Sequence, residues 1–254
     1  MAIEYDKDGH IRIMRINNPD RRNALPPTDL AEMTRLEDEF IVDSDAWVLI
    51  LTGVGDKSFS AGADLAEGVG GVLSGEIKVE PLPKRWFSHC YKPIISAVNG
   101  YATGGGMELV MLTDIRIAAE HASFGLPEIR WALVPQFGAC CNLPHQISYC
   151  RAMELLLTGD RISAREALEY GLINKVVPKE DLMPTAMKMA ERICENGPVA
   201  LRLIKEVALK SRGVPREMGY LMEMEIGGKA FTTEDAKEGP LAFFEKRKPK
   251  FRGL

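Results

Sequence analysis

Two glutamates stand beside loops that can expose backbone amides. Glu108 follows the run Gly104-Gly105-Gly106, and Glu128 comes twenty residues later, closing Phe124-Gly125-Leu126-Pro127-Glu128. Two facing carboxylates could hold one water, one acting as base and the other as acid. The glycines strip side chains from a helix N-terminus, so N–H groups there can approach a ligand oxygen. A second small-residue loop, Phe59-Ser60-Ala61-Gly62-Ala63-Asp64-Leu65, could present the Ala63 N–H in the same way. Two such donors aimed at one oxygen make an oxyanion hole. It would stabilise the enolate-like charge of proton transfer next to a carbonyl, by ~3–4 kcal/mol per donor. Taken singly, each acid reads as a surface or capping residue, since the chain holds 36 Asp and Glu. Their shared placement beside such loops moves weight to chemistry.

The elements that must position these groups are partly legible. Pro93 to Val98 is a continuous apolar run that predicts a buried strand, turned at Asn99-Gly100 into the glycine-opened helix. Ile11 to Ile16 alternates at period two, and Trp47 to Leu51 is a short apolar strand. Thr28 begins a pattern (Leu30, Met33, Leu36, Phe40) that predicts an amphipathic helix capped by that threonine. The glycine-rich stretch from Gly62 to Gly75 reads as a mobile loop, and residues 62–82 as a border of the ligand pocket. Asp114 to Ala118 predicts another strand. Segments near 151–158, 163–170, 181–196 and 198–211 read as helices, and the tail from Pro215 to Glu245 is helix-rich. Strands alternating with helices, then mostly helix, imply an α/β architecture with a helical C-terminal region.

Bulk properties narrow the classes. The chain has 254 residues, a net charge of −4 and 46% hydrophobic residues. That is enough for a full core and argues against a nucleic-acid binder. No apolar run approaches the ~18 residues of a membrane span. Five cysteines with no CxxC pair, and a start without a basic-then-apolar leader, imply a reduced, cytoplasmic protein. No His, Cys and Asp spacing reads as a metal site. Gly53-Val54-Gly55 is an incomplete dinucleotide fingerprint, with Ser58 where the third glycine belongs. No G-x-S-x-G elbow is present, and the four histidines lack a nucleophile partner.

Ala61 to Leu65, Asn99 to Leu109, Phe124 to Glu128, Leu157 to Ala164, Ala167 to Val177 and Phe243 to Pro249 together resemble the crotonase (enoyl-CoA hydratase/isomerase) superfamily. The resemblance covers nearly the whole chain. It implies an α/β fold, a spiral of ββα units over residues 1–195, with a helical trimerisation region over 196–254. It implies a CoA thioester substrate, no separate cofactor and no metal, fatty-acid metabolism, and a homotrimer or homohexamer. Ala63 and Gly105 would hold the thioester carbonyl. Glu108 would help activate water for attack at Cβ, and Glu128 would deliver a proton to Cα. Arg22 and Ala24 resemble the segment meeting the CoA nucleotide, and Lys246 a tail lysine reaching CoA phosphate in a neighbouring subunit. Ala61, Asp64 and Leu65 join the substrate-binding set. Without the resemblance, Arg21-Arg22 and Lys246 to Lys250 read as solvated surface charge.

One stretch departs from the family pattern. After Pro135, hydratases of this superfamily usually continue with a glycine-rich turn, whereas here the chain reads Gln136-Phe137-Gly138-Ala139-Cys140-Cys141-Asn142. Gln136 stands where a glycine N–H commonly helps position the water. Gln136, Phe137 and Trp131 add bulk near the expected site. The departure bears on hydration rate and acyl size. An isomerase shuttling a proton between Cα and Cγ needs one carboxylate, so two glutamates favour hydration. A non-catalytic acyl-CoA-binding protein is the alternative of another class.

Overall fold

The computed structural model describes residues 3–78 and 86–254. The chain opens with β1 (Ile3–Asp8), β2 (Ile11–Ile16), β3 (Ala24–Leu25) and α1 (Pro27–Val42). It continues through β4 (Val48–Gly53), β5 (Ser58–Ser60), β6 (Gly62–Ala63) and α2 (Gly70–Ser74). Next come β7 (Ile94–Val98), β8 (Tyr101–Thr103) and α3 (Gly105–Met111), then β9 (Ile115–Ala119), β10 (Ser123–Gly125) and α4 (Ala139–Gln146). The remainder is α5 (Tyr149–Thr158), β11 (Arg161–Ser163), α6 (Ala164–Glu169), β12 (Lys175–Val177), α7 (Leu182–Cys194), α8 (Pro198–Lys210), α9 (Arg216–Gly228) and α10 (Asp235–Phe244).

A strand–strand–helix unit recurs. The first strand of each unit (β4, β7, β9) joins a six-stranded sheet of order β1-β2-β4-β7-β9-β12, parallel except for the β1–β2 hairpin. The second (β5, β8, β10) joins a four-stranded sheet of order β11-β10-β8-β5. Successive units therefore wind as a spiral with two sheet walls. The large sheet is covered on both faces, which is why β4 and β7 are apolar and buried at nearly every position. Alternation splits them: Leu49 and Leu51 enter the core between the sheets, while Val48 and Ile50 face Leu182, Ala186 and Ala190 of α7.

Two expectations change. α1 starts at Pro27 with Pro26 in the cap position and no side-chain cap, so Thr28 is not the cap. A proline in the first turn has no N–H to satisfy and a preset φ, which removes the need. The 62–75 stretch contains β6, a π-helical turn over Leu65–Val69 and α2. Asp64 organises it by accepting from the N–H groups of Ala66 (2.9 Å) and Glu67 (3.0 Å). Residues 79–82 of the proposed pocket border lie outside the described residues.

The C-terminal helices dock through a buried cation. Lys205 of α8 pairs with Asp114 at 2.7 Å and donates to the Lys92 carbonyl at 2.9 Å. Asp114 also accepts from the Ile94 N–H at 2.8 Å, so this pin reaches the start of β7. Beyond it, Met224, Phe231, Phe243 and Phe244 are at least three-quarters exposed in the single chain.

Candidate active site

The three glycines each answer to a different neighbour. Gly104 caps α3 with φ 57° and ψ −128°, backbone space that side chains avoid. A Cβ there would stand 3.1 Å from Glu128 Oε1. A Cβ on Gly105 would stand 3.3 Å from Gly62 Cα, 3.4 Å from Ala63 N and 3.5 Å from Phe137 Cδ2. A Cβ on Gly106 would drive into the Ser60 carbonyl at 2.1 Å. The glycines thus bring the N-terminus of α3 against the β5–β6 loop on one side and the second acid on the other. Gly62 reciprocates: its φ is +84°, and a Cβ there would meet Gly105 N at 2.5 Å.

The Ala63 loop is braced from beneath. Ser60 Oγ donates to the Asn23 carbonyl (2.8 Å) and accepts from the Gly62 N–H (3.0 Å). Asn23 Nδ2 donates to the carbonyls of Ser58 (2.7 Å) and Val54 (3.0 Å). The Ala61 N–H bonds the Arg22 carbonyl and the Asp64 N–H the Leu25 carbonyl, each at 3.0 Å. Segment 22–25 and loop 60–64 are therefore one unit. Sequence reasoning did not find Asn23 or Ser60 as its braces, because their partners are backbone groups far along the chain.

The acids have unlike surroundings. Glu108, on the first turn of α3, is buried, and its Oε1 accepts from the N–H groups of Phe137 (2.8 Å) and Ala139 (3.0 Å). Glu128 sits in a 3₁₀ turn over Pro127–Trp131. Its Oε2 is buried and accepts no hydrogen bond among the described residues. Burial pushes its carboxyl above the ordinary glutamate range. An orphan carboxylate oxygen in a folded protein is costly unless something else comes to fill it. Both acids reach one thiol: burial raises the Cys140 pKa first, and the charges of Glu108 and Glu128 add to it. One acid held by two amides beside another that burial keeps protonated more readily is the division acid–base catalysis needs.

The remaining residues from the sequence reading fall as follows. Ala24 is buried and Arg22 exposed at φ 55°, both on the segment tied to the Ala63 loop. Ala61 lies in that loop. Asp64 caps the π-helical turn and pairs with Arg21 at 3.1 Å, so its carboxylate holds the loop in shape. Leu65, next along, is 54% exposed. Lys246 stands exposed just past α10 and has no hydrogen bond or ion pair with this cluster. Gln136 is exposed and turns its amide to the Val134 carbonyl at 3.2 Å, whereas Phe137 places its ring at the site. Trp131 is 52% exposed at the end of the Glu128 turn. Trp86, which the sequence reading passed over, packs on Phe137 with ring centroids 4.3 Å apart. Among the described residues, no group of three or more His, Cys, Asp or Glu is placed to hold a metal ion.

Comparison with known proteins meets this geometry from outside. The profile of the family described as Enoyl-CoA hydratase/isomerase matches residues 6–253. The chain is 36% identical to (E)-benzylidenesuccinyl-CoA hydratase of Thauera aromatica over the full length of both. It is 39% identical to short-chain-enoyl-CoA hydratase of Clostridium acetobutylicum, covering 97% of this chain and 95% of that one. Among solved structures, enoyl-CoA hydratase from Bacillus anthracis superposes with a TM-score of 0.93 at 37% identity, covering all of both chains. With the match running nearly end to end in sequence and in backbone, this chain belongs to the enoyl-CoA hydratase/isomerase family, the crotonase superfamily.

Proposed function

We propose how this chain hydrates an enoyl-CoA, adding water across the 2,3 double bond to give the 3-hydroxyacyl thioester. The N–H groups of Ala63 and Gly105 hold the thioester oxygen. Glu108 takes a proton from water as its oxygen bonds to Cβ. The electron pair of the double bond moves to the enolate, whose charge the two amides stabilise. Glu128 then delivers a proton to Cα on the same face, giving syn addition. The enzyme is a hydro-lyase, and the reading needs no cofactor besides the CoA carried by the substrate.

The observation that supports these roles is the contrast between the acids. Glu108 is fixed by two amides, while Glu128 sits against Gly104 with one carboxylate oxygen buried and without a hydrogen bond among the described residues. Hydration of crotonyl-CoA, followed by loss of enoyl absorbance and formation of the 3-hydroxyacyl product, is the test. Glu108→Gln and Glu128→Gln should each lower kcat by at least ~10³-fold, in line with loss of a positioned acid or base together with its pairing. Isomerisation of a 3-enoyl-CoA by the wild type without hydration would transfer the site to a one-acid reaction.

Arg22, Ala24, Ala61, Asp64 and Leu65 are placed in this reading along the CoA and acyl approach, and Lys246 at a phosphate of a CoA bound in a neighbouring subunit. Residues 196–254 form its oligomerising region, and the working particle is a homotrimer or a pair of them. The exposed apolar side chains of α9 and α10 support that assignment. The described residues contain no helix long and apolar enough to cross a membrane, and the reading places the enzyme in the cytoplasm.

A further inference from the structure

Phe137 is tied to the reacting centre twice. Its N–H holds Glu108, and its Cδ2 would stand 3.5 Å from a Cβ built on Gly105, a point 3.4 Å from the Ala63 nitrogen. A thioester gripped by the Ala63 and Gly105 amides therefore has this ring as a neighbour. The ring is backed by Trp86, with planes inclined at 34°, and Trp86 is anchored by its Nε1–H to Thr34 Oγ1 of α1 at 3.2 Å. The two segments leaving the site keep apolar side chains in the open: Leu65 and Leu73 after Ala63, and Ile129 and Trp131 after Glu128. Phe137 and its Trp86 backing form a braced aromatic wall beside Gly105.

We propose that Phe137 and Trp86 set the acyl preference of this enzyme, and that its best substrates are enoyl-CoA thioesters bearing a flat aromatic group on Cβ. The inference rests on the hydratase reading. An alkyl chain gains only buried area from such a wall. An aryl group adds ring–ring attraction in offset or edge-on geometry, expected to favour it by about fivefold. Because the group at Cβ stays beside the wall as that carbon becomes tetrahedral, the preference belongs in kcat/KM as well as in binding.

The experiment compares kcat/KM for cinnamoyl-CoA with that for hexenoyl-CoA, in the wild type, Phe137→Ala and Trp86→Leu. Each variant should lower the aryl-to-alkyl ratio by about fivefold relative to the wild type, a comparison in which the conjugation cinnamoyl-CoA loses on hydration cancels. Phe137→Leu replaces the alanine variant should the latter fail to fold, since it keeps bulk while removing the ring. Calorimetric binding of the saturated analogues, phenylpropanoyl-CoA and hexanoyl-CoA, reads the preference without turnover. Saturated analogues bound by the wild type with no preference for the aryl group, or a kcat/KM ratio unmoved by both substitutions, overturn the wall. Tighter aryl binding with no hydration of any enoyl-CoA leaves the wall standing and removes the hydratase. Hydration of both substrates with a ratio unmoved by either substitution does the reverse.

Discussion

Gly104 and Glu128 are fitted to one another: the carboxylate occupies ground that a Cβ at 104 would crowd at 3.1 Å. Gly104→Ala meets two penalties, the contact and a backbone conformation of φ 57°, ψ −128°. It should destabilise the fold by ~1–3 kcal/mol. It should also lower hydration of crotonyl-CoA more than a surface Gly→Ala, such as Gly227→Ala, which meets nothing within 4 Å. Thermal melting and steady-state kinetics on both variants check this.

The raised pKa of Glu128 gives a signed pH dependence. Burial disfavours its charged form, so the folded state binds this proton more tightly than the unfolded state. Its contribution to stability is fully present below the ordinary glutamate range and is lost as pH rises through the raised value. Glu128→Gln, which cannot ionise, should melt above the wild type at pH 8, with the gap narrowing towards pH 4. Melting curves across that range decide it. Proton delivery should follow the same sign, with the wild-type hydration rate falling as pH rises through the Glu128 pKa.

Gly62→Ala tests the oxyanion grip without touching either acid. A Cβ there would lie 2.5 Å from Gly105 N, so the two donor loops must part. Hydration should fall by ~10²–10³-fold in kcat, the scale of losing one donor. Affinity for a saturated acyl-CoA should change far less, because the grip acts mainly on the enolate. Single-turnover kinetics and calorimetry separate the two.

Lys205→Met removes the pin between α8 and the β7 strand start. Asp114 would keep its charge in a partly buried place without the cation 2.7 Å away. A loss of ~3 kcal/mol is expected, with a flatter urea transition if α8 to α10 detach ahead of the core. Exchange protection of α8 amides should fall before that of β4 and β7.

Met224→Glu addresses assembly. This side chain is 76% exposed in the single chain. If it lies in a subunit interface, a buried charge there should shift the particle towards monomer in light scattering at micromolar concentration. An unchanged mass would place the proposed subunit contact elsewhere.

The features legible in the sequence share a physical reason. β2, β7 and α3 carry patterns forced by burial, and Gly62, Gly104 and Gly106 stand where a side chain would collide. β5, β8 and β10 are three residues long, too short for any period to show. β1 is an edge strand whose charged residues dilute its apolar signal. At the site, the N–H donors to Glu108 are main-chain atoms of residues 137 and 139, and every residue type but proline offers that donor. Asp64 was legible only as part of its motif, and the engagement of its carboxylate by two amides and Arg21 was not. Trp86 and Phe137 meet only through tertiary folding.

The division of labour at position 137 has a lasting effect on how this lineage can change. The peptide N–H there holds the Glu108 carboxylate, and in the proposed reading the ring lies beside the acyl group. Nearly any codon change at that spot swaps the ring and spares the amide. On that reading, substitution at 137 can retune the acyl preference while Glu108 keeps its amide donor.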